Sequence, residues 1–179
     1  MTSRTLLALA ASLCIPLTAQ SHVTLEQGEA ATGSAYKAVM RIGHGCDGSP
    51  TREVSVLIPQ GLRGAKPQPK AGWTLRVDKA PLAEPYDSHG KTITEDVVRV
   101  TWTARSAEDM LPDAFYDEFM VRGQLVALPG ALWFKIEQRC QVGEWRWVET
   151  PSEGASTRGL KAPAALLKVL PKADVAGVR

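Results

Sequence analysis

A two-residue hydrophobic period recurs in short runs along most of this chain, and it constrains the fold more than any other feature. Val54, Val56 and Ile58 alternate with Glu53 and Ser55. Val98, Val100 and Trp102 alternate with Arg99, Thr101 and Thr103. Leu132, Phe134 and Ile136 alternate with Trp133, Lys135 and Glu137. Successive side chains of a strand point to opposite faces, so each run reads as a strand with one buried face. The same reading predicts strands over 22–27, 34–42, 73–77, 116–126 and 144–150. Turn-rich pieces separate them at 43–50, 59–72, 81–90 and 128–130. Only 109–115 reads as a short turn of helix. Many short strands with turn signals between them predict an all-β fold, an antiparallel sandwich.

The first 21 residues are of another kind. Arg4 supplies a positive start, and Leu6 to Leu17 form an apolar run with no charge. Ala19 and Ser21 then put small residues at the −3 and −1 positions before His22. This is the pattern of a cleaved secretory signal peptide. The run is shorter than the roughly 20 residues a membrane-spanning helix needs. A membrane anchor, or a lipoprotein cut at Cys14, is the alternative. Leu13 is a large residue for the position before a lipoprotein cysteine. Cleavage after Ser21 makes histidine the first residue. An N-terminal histidine offers a metal two nitrogens, its free α-amine and its own Nδ1, which close one chelate ring.

The formal net charge is +2, and loss of Arg4 leaves about +1. Such a chain has no basic field for nucleic acid and no basic amphipathic segment for a membrane surface. After Ser21 no second apolar run is long enough to span a bilayer. An exported chain of this kind is expected in an oxidising compartment, most simply a bacterial periplasm. Cys14 leaves with the leader, so Cys46 and Cys140 remain, and two cysteines in an exported domain most often pair. A copper-thiolate site is the alternative, but no Cys-x-x-Cys or methionine cluster accompanies them. The domain is read as 22–151. The tail, 152–179, is read as partly flexible, with Leu166, Leu167, Val169 and Leu170 docking locally and 173–179 loose.

Several motifs resemble a known family. They are His22–Ser34 (HVTLEQGEAATGS), Gly43–Thr51 (GHGCDGSPT), Val56–Pro59 (VLIP), Pro69–Trp73 (PKAGW), Asp117–Phe119 (DEF) and Arg146–Pro151 (RWVETP). Their order is similar to that of the YcnI-like family of exported bacterial copper-binding proteins, over nearly all of 22–151. The resemblance implies an immunoglobulin-like or cupredoxin-like β-sandwich that binds Cu(II). Its site is a single-histidine brace at the mature N-terminus, with a carboxylate and a nearby tryptophan. Some members carry a C-terminal membrane helix, a feature not carried over to this chain.

Mapped onto this sequence, the resemblance makes His22 the metal ligand. Two nitrogens from one residue suit Cu(II), which accepts N/O donors in tetragonal geometry. Glu29 is the carboxylate partner, brought back by a bend at Gly28, with Glu26 as the competitor. Trp147 is the indole beside the metal, and Trp145 shares its parity and is the alternative. His44 with Asp47 forms a possible secondary metal site, set against a plain loop histidine near the cysteines. His89 reads as exposed and incidental. No Gly-x-Ser-x-Gly, phosphate-binding glycine loop or His-Glu-x-x-His motif is present, so a binding protein is expected rather than an enzyme.

The expected function is therefore a periplasmic Cu(II) chaperone or buffer. Its expected partner is another copper protein or a membrane copper transporter. Two alternatives stay open. One is a copper-dependent oxidative enzyme of the N-terminal-histidine type, which needs a second histidine, His44 or His89. The other is an interaction module whose metal binding is incidental, docking through 59–72.

Overall fold

A computed structural model describes residues 22–172. The expected signal peptide, 1–21, and the expected loose end, 173–179, lie outside the described residues. Eleven strands carry the regular structure: β1 (Thr24–Leu25), β2 (Glu29–Ala31), β3 (Ala35–Ile42), β4 (Thr51–Leu57), β5 (Leu62–Pro67), β6 (Trp73–Ser88), β7 (Lys91–Ala104), β8 (Asp117–Leu125), β9 (Gly130–Cys140), β10 (Glu144–Trp147) and β11 (Ala165–Leu170). None of the described residues is helical. The segment expected to turn helically holds single-turn bonds, such as Phe115 N–H to the Pro112 carbonyl at 3.0 Å, and an isolated bridge in which Leu111 and Thr51 exchange backbone hydrogen bonds.

The strands form two sheets. One has the order β1-β3-β8-β5. The other has the order β2-β11-β9-β4-β7-β6, with β10 also paired to β9. Along one edge of β9, β11 covers Gly130–Phe134 and β10 covers Ile136–Arg139. The sandwich is antiparallel as expected except for one parallel pair, β2 with β11.

The predicted parity holds where it matters most. Val54, Val56, Val100, Trp102, Phe134 and Ile136 are all fully buried. Aromatic pairs join the two sheets: Tyr36 with Phe134 at 6.2 Å between ring centroids, and Trp102 with Phe119 at 5.5 Å. Each such side chain contributes about 1.5–3 kcal/mol on burial, so this central layer holds the sheets together.

Three segments depart from the sequence reading. The stretch 59–72 contains a strand, β5, whose Leu62 and Ala65 are buried. Gly61, Gly64 and Pro67 disguise it. Such residues are tolerated because β5 is an edge strand with a register break between Arg63 and Lys66. The stretch 81–90 is mostly strand too, since β6 continues to Ser88. Its prolines, Pro81 and Pro85, sit in another edge strand, and pairing is interrupted between Pro81 and Tyr86. His89 and Gly90 form the hairpin turn with φ of 52° and 74°, the two positive values a type I′ turn requires. The sandwich also extends past residue 151. β11 lies between β2 and β9, with Ala165, Leu167 and Val169 buried.

Candidate metal centre

The N-terminal segment reaches the site through β1. Thr24 faces Arg41 and Leu25 faces Met40 on β3. Carried back two residues, this register brings His22 toward Gly43, the neighbour of His44. Val23 and Leu25 are buried while Thr24 is exposed, and His22, on the Thr24 side by parity, is nevertheless half-buried. Its imidazole meets the Trp147 indole in a T-shaped contact, 5.7 Å between centroids at 77°. His22 Nε2 is buried without a hydrogen-bond partner. An unmet polar atom of this kind costs about 1–3 kcal/mol in a folded chain; it is the ring nitrogen opposite the Nδ1 that an N-terminal chelate would use.

His44 comes to the same indole from the other chain segment, 6.4 Å between centroids at 78°. Trp145 stacks on Trp147 at 5.3 Å and 24°, so two imidazoles and two indoles share one end of the sandwich. The His44 ring is oriented by its Nδ1, which lies 2.6 Å from the Gly45 carbonyl oxygen. A carbonyl only accepts, so Nδ1 carries a proton and Nε2 holds the lone pair in the neutral ring.

The loop carrying His44 is tightly specified. Cys46 and Ser49 exchange backbone hydrogen bonds around Asp47-Gly48. Asp47 and Gly48 have φ of 49° and 85°, a second type I′ turn from the favoured Asp-Gly dipeptide. Asp47 is thus an exposed turn residue. The carboxylate that does reach this loop is Asp113, accepting from Gly45 N–H at 2.9 Å. Gly45 itself has no room for a side chain, because a Cβ there would lie 2.0 Å from the Ser49 carbonyl oxygen. Cys46 and Cys140 form the expected disulfide, with Cα atoms 5.9 Å apart, and it ties the loop to the end of β9. Such a bridge fits an oxidising compartment.

Gln138 is the residue that sequence reasoning missed. It is 1% exposed and shares the inward parity of Phe134, Ile136 and Cys140 on β9. Its amide donates to the His44 carbonyl at 2.7 Å and to Thr51 Oγ1 at 2.8 Å. Its own carbonyl accepts from Trp147 Nε1 at 3.2 Å. One buried amide therefore holds the His44 loop, β4 and Trp147 together. The available signal was a polar residue at a core position of a well-formed strand.

Glu29 opens β2 after a bend that falls at Glu26 and Gln27 rather than at Gly28. Its carboxylate is exposed and pairs with Lys168 Nζ at 2.9 Å. Glu26 is likewise exposed and lies 3.9 Å from Arg41. Between them, Tyr36 donates its hydroxyl to the Gln27 carbonyl at 2.7 Å. Burial pushes the Tyr36 pKa up to about 12, with the charge of Glu26 adding to the effect. Among the described residues, no cluster of three or more His, Cys, Asp or Glu side chains is poised to hold a metal ion. The group gathered at Trp147 consists instead of two histidines and the aromatic wall.

Residues 22–169 match the family described as a domain of unknown function, DUF1775, and the chain belongs to that family. A crystal structure of an uncharacterized protein from Nocardia farcinica, reported to have an immunoglobulin-like fold, is similar at a TM-score of 0.62 and 24% identity. The alignment covers 83% of this chain and 97% of that one. The fold of this chain is accordingly immunoglobulin-like. Comparison with curated proteins returns no match. No helix among the described residues is long and apolar enough to cross a membrane.

Proposed function

We propose that the protein, cut before His22, is a periplasmic Cu(II)-binding protein that buffers or delivers copper. In the uncut chain the His22 backbone nitrogen is an amide; cleavage turns it into an amine that can join Nδ1 on the metal. The observation that carries this reading is the contact of His22 with Trp147 at one end of the sandwich. The indole walls one side of the imidazole and limits the water that can compete there. Nitrogen donors without a thiolate favour Cu(II), since both mature cysteines are in the disulfide. The expected carboxylate, Glu29, pairs with Lys168 at the level of Ala131 on β9, whereas Trp147 stands opposite Ile136, so the donors gathered at the indole are nitrogens. Copper is cargo here, passed to another periplasmic copper protein or a membrane copper transporter.

The test is a Cu(II) titration followed by electron paramagnetic resonance, on protein verified by mass to begin at His22. A form with one added N-terminal alanine is measured beside it. Tight one-to-one binding that disappears in the extended form supports the brace. Equal binding by both forms rules it out.

A further inference from the structure

We propose that a cleft walled by β5, β8 and the tip of the β6–β7 hairpin is an anion site that takes the phosphoryl group of a small soluble ligand. The cleft has a volume of about 430 Å³, and Arg63, Lys66 and Arg122 line it together with Ser88 and His89. None of these residues belongs to the candidate metal centre, so the proposal stands apart from copper.

Sheet register gathers the charge. Lys37 faces Arg122, and Arg122 faces Lys66, so three exposed cations form a row across β3, β8 and β5. Like charges directly opposite one another destabilise a sheet. Among the described residues no carboxylate pairs with any of the three. A β-bulge brings Lys66 into the row. Arg63 faces Gln124 and Lys66 faces Arg122, so β5 spends one residue more than β8 between them. Gly64 has a φ of 60°, a left-handed conformation that glycine adopts readily in a bulge. In a regular strand Arg63 and Lys66 would point to opposite faces. The extra residue puts both on the solvent face with Arg122.

The hairpin forms the other wall. Arg63 lies over the Tyr86 ring, 4.5 Å from its centroid. The Tyr86 hydroxyl and the Gly64 N–H both donate to Asp96 at 2.9 Å, which ties the hairpin to the bulge. Asp87 also lines the cleft, and its carboxylate accepts from Gly90 N–H at 3.2 Å within the turn. Two guanidinium forks and an ammonium outweigh that carboxylate, and they match the oxygens of a phosphoryl group. A concave wall suits a small soluble ligand better than a bilayer, whose headgroups present a flat array. The chain's formal net charge is only +2, so the attraction is local to the cleft.

The experiment is a titration with inorganic phosphate, the ionic strength held constant with sodium chloride, followed by heteronuclear NMR of the backbone amides. Four proteins are compared: the unaltered chain, Arg122→Gln, Lys66→Gln and Lys79→Gln. The last removes the same charge from an exposed pair with Glu95 outside the cleft. The expected result is saturable shifts at Gly64, Lys66, Ser88 and Arg122 in the unaltered chain and in Lys79→Gln. Affinity falls at least about tenfold in the two cleft variants. Phosphate also raises the melting temperature of the unaltered chain but not of Arg122→Gln. Each cleft variant removes a cation that faces another, so near-ultraviolet circular dichroism is expected to stay unchanged. Shifts that never saturate, or equal affinity in all four proteins, overturn the proposal. Binding to phosphatidylglycerol vesicles over phosphatidylcholine vesicles, with no response to inorganic phosphate, overturns the assignment to a soluble ligand.

Discussion

Glu137 and Gln138 are neighbours on β9, yet they face opposite sides of the sheet and hold the protein in opposite ways. Glu137 looks outward into a charged lattice. It accepts from Arg99 at 2.7 Å and from Arg146 at 3.2 Å, and nearby Arg139 pairs with Glu53 at 3.3 Å. Gln138 looks inward, uncharged and satisfied at both ends by three named partners. The outer lattice is partly open to water, so each pair is screened and contributes modestly. The inner amide has no water to fall back on, so losing it strands its partners. The difference separates two uses of polarity: the outer face keeps the sheet solvated, while the inner residue positions a site.

The comparison can be broken from the inside first. Replacing Cys46 and Cys140 with serine removes the covalent tie beside Gln138. The bridge closes a sequence separation of 94 residues, and chain entropy values such a loop at about 4–5 kcal/mol. Denaturant melts should show a loss of that order. A loss under about 1 kcal/mol would show that the loop is held by its hydrogen bonds alone.

Gln138→Leu comes next. It keeps the volume but leaves Trp147 Nε1 and the His44 carbonyl without their partner. Roughly 2–4 kcal/mol of destabilisation is expected, with altered tryptophan fluorescence. Cu(II) affinity should drop in material that remains folded. Unchanged affinity in folded protein would confine Gln138 to a purely structural role.

Glu137→Gln should have the smallest effect, about 1 kcal/mol or less. Its value is in the pH dependence. The Arg99 hydrogen bond holds the Glu137 carboxyl below the usual glutamate range, against the opposing effect of burial. A carboxyl with a lowered folded-state pKa stabilises fully above its unfolded value. That contribution fades as pH falls through the folded value. Urea midpoints from neutral to acid pH should therefore fall less steeply in Glu137→Gln than in the unaltered chain. Parallel curves would mean that the lattice has no net effect on stability.

The sequence made the core strands legible because their inward residues bury a regular apolar face. Val54, Val100 and Phe134 needed no other information. It hid β5 and the second half of β6 for a common reason, while β11 was read only as a docking tail. Both carry proline, and tolerance of that residue depends on a strand lying at an edge, a property of the sheet rather than the segment. At the site, His22, His44 and Trp147 were recognisable as residue types with suitable chemistry. That two imidazoles meet one indole depends on β1, the Gly43–Thr51 loop and β10 arriving together. Local pattern carries no record of that meeting. Gln138 was concealed by its type, since a glutamine in a strand is ordinarily taken to face water.

The parallel pairing of β2 with β11 has a consequence for how such a chain is made. Lys168 and Glu29, which pair across it, are 139 residues apart in sequence. In a polypeptide delivered N-terminus first, β2 and one margin of β9 wait for the final strand before their backbone groups are matched. The sandwich therefore closes last with its newest segment, and a polypeptide halted before Ala165 presents two open sheet margins to its surroundings. Such margins are templates for mispairing and targets for proteases. β11 is thus the strand that joins β2 to the rest of its sheet.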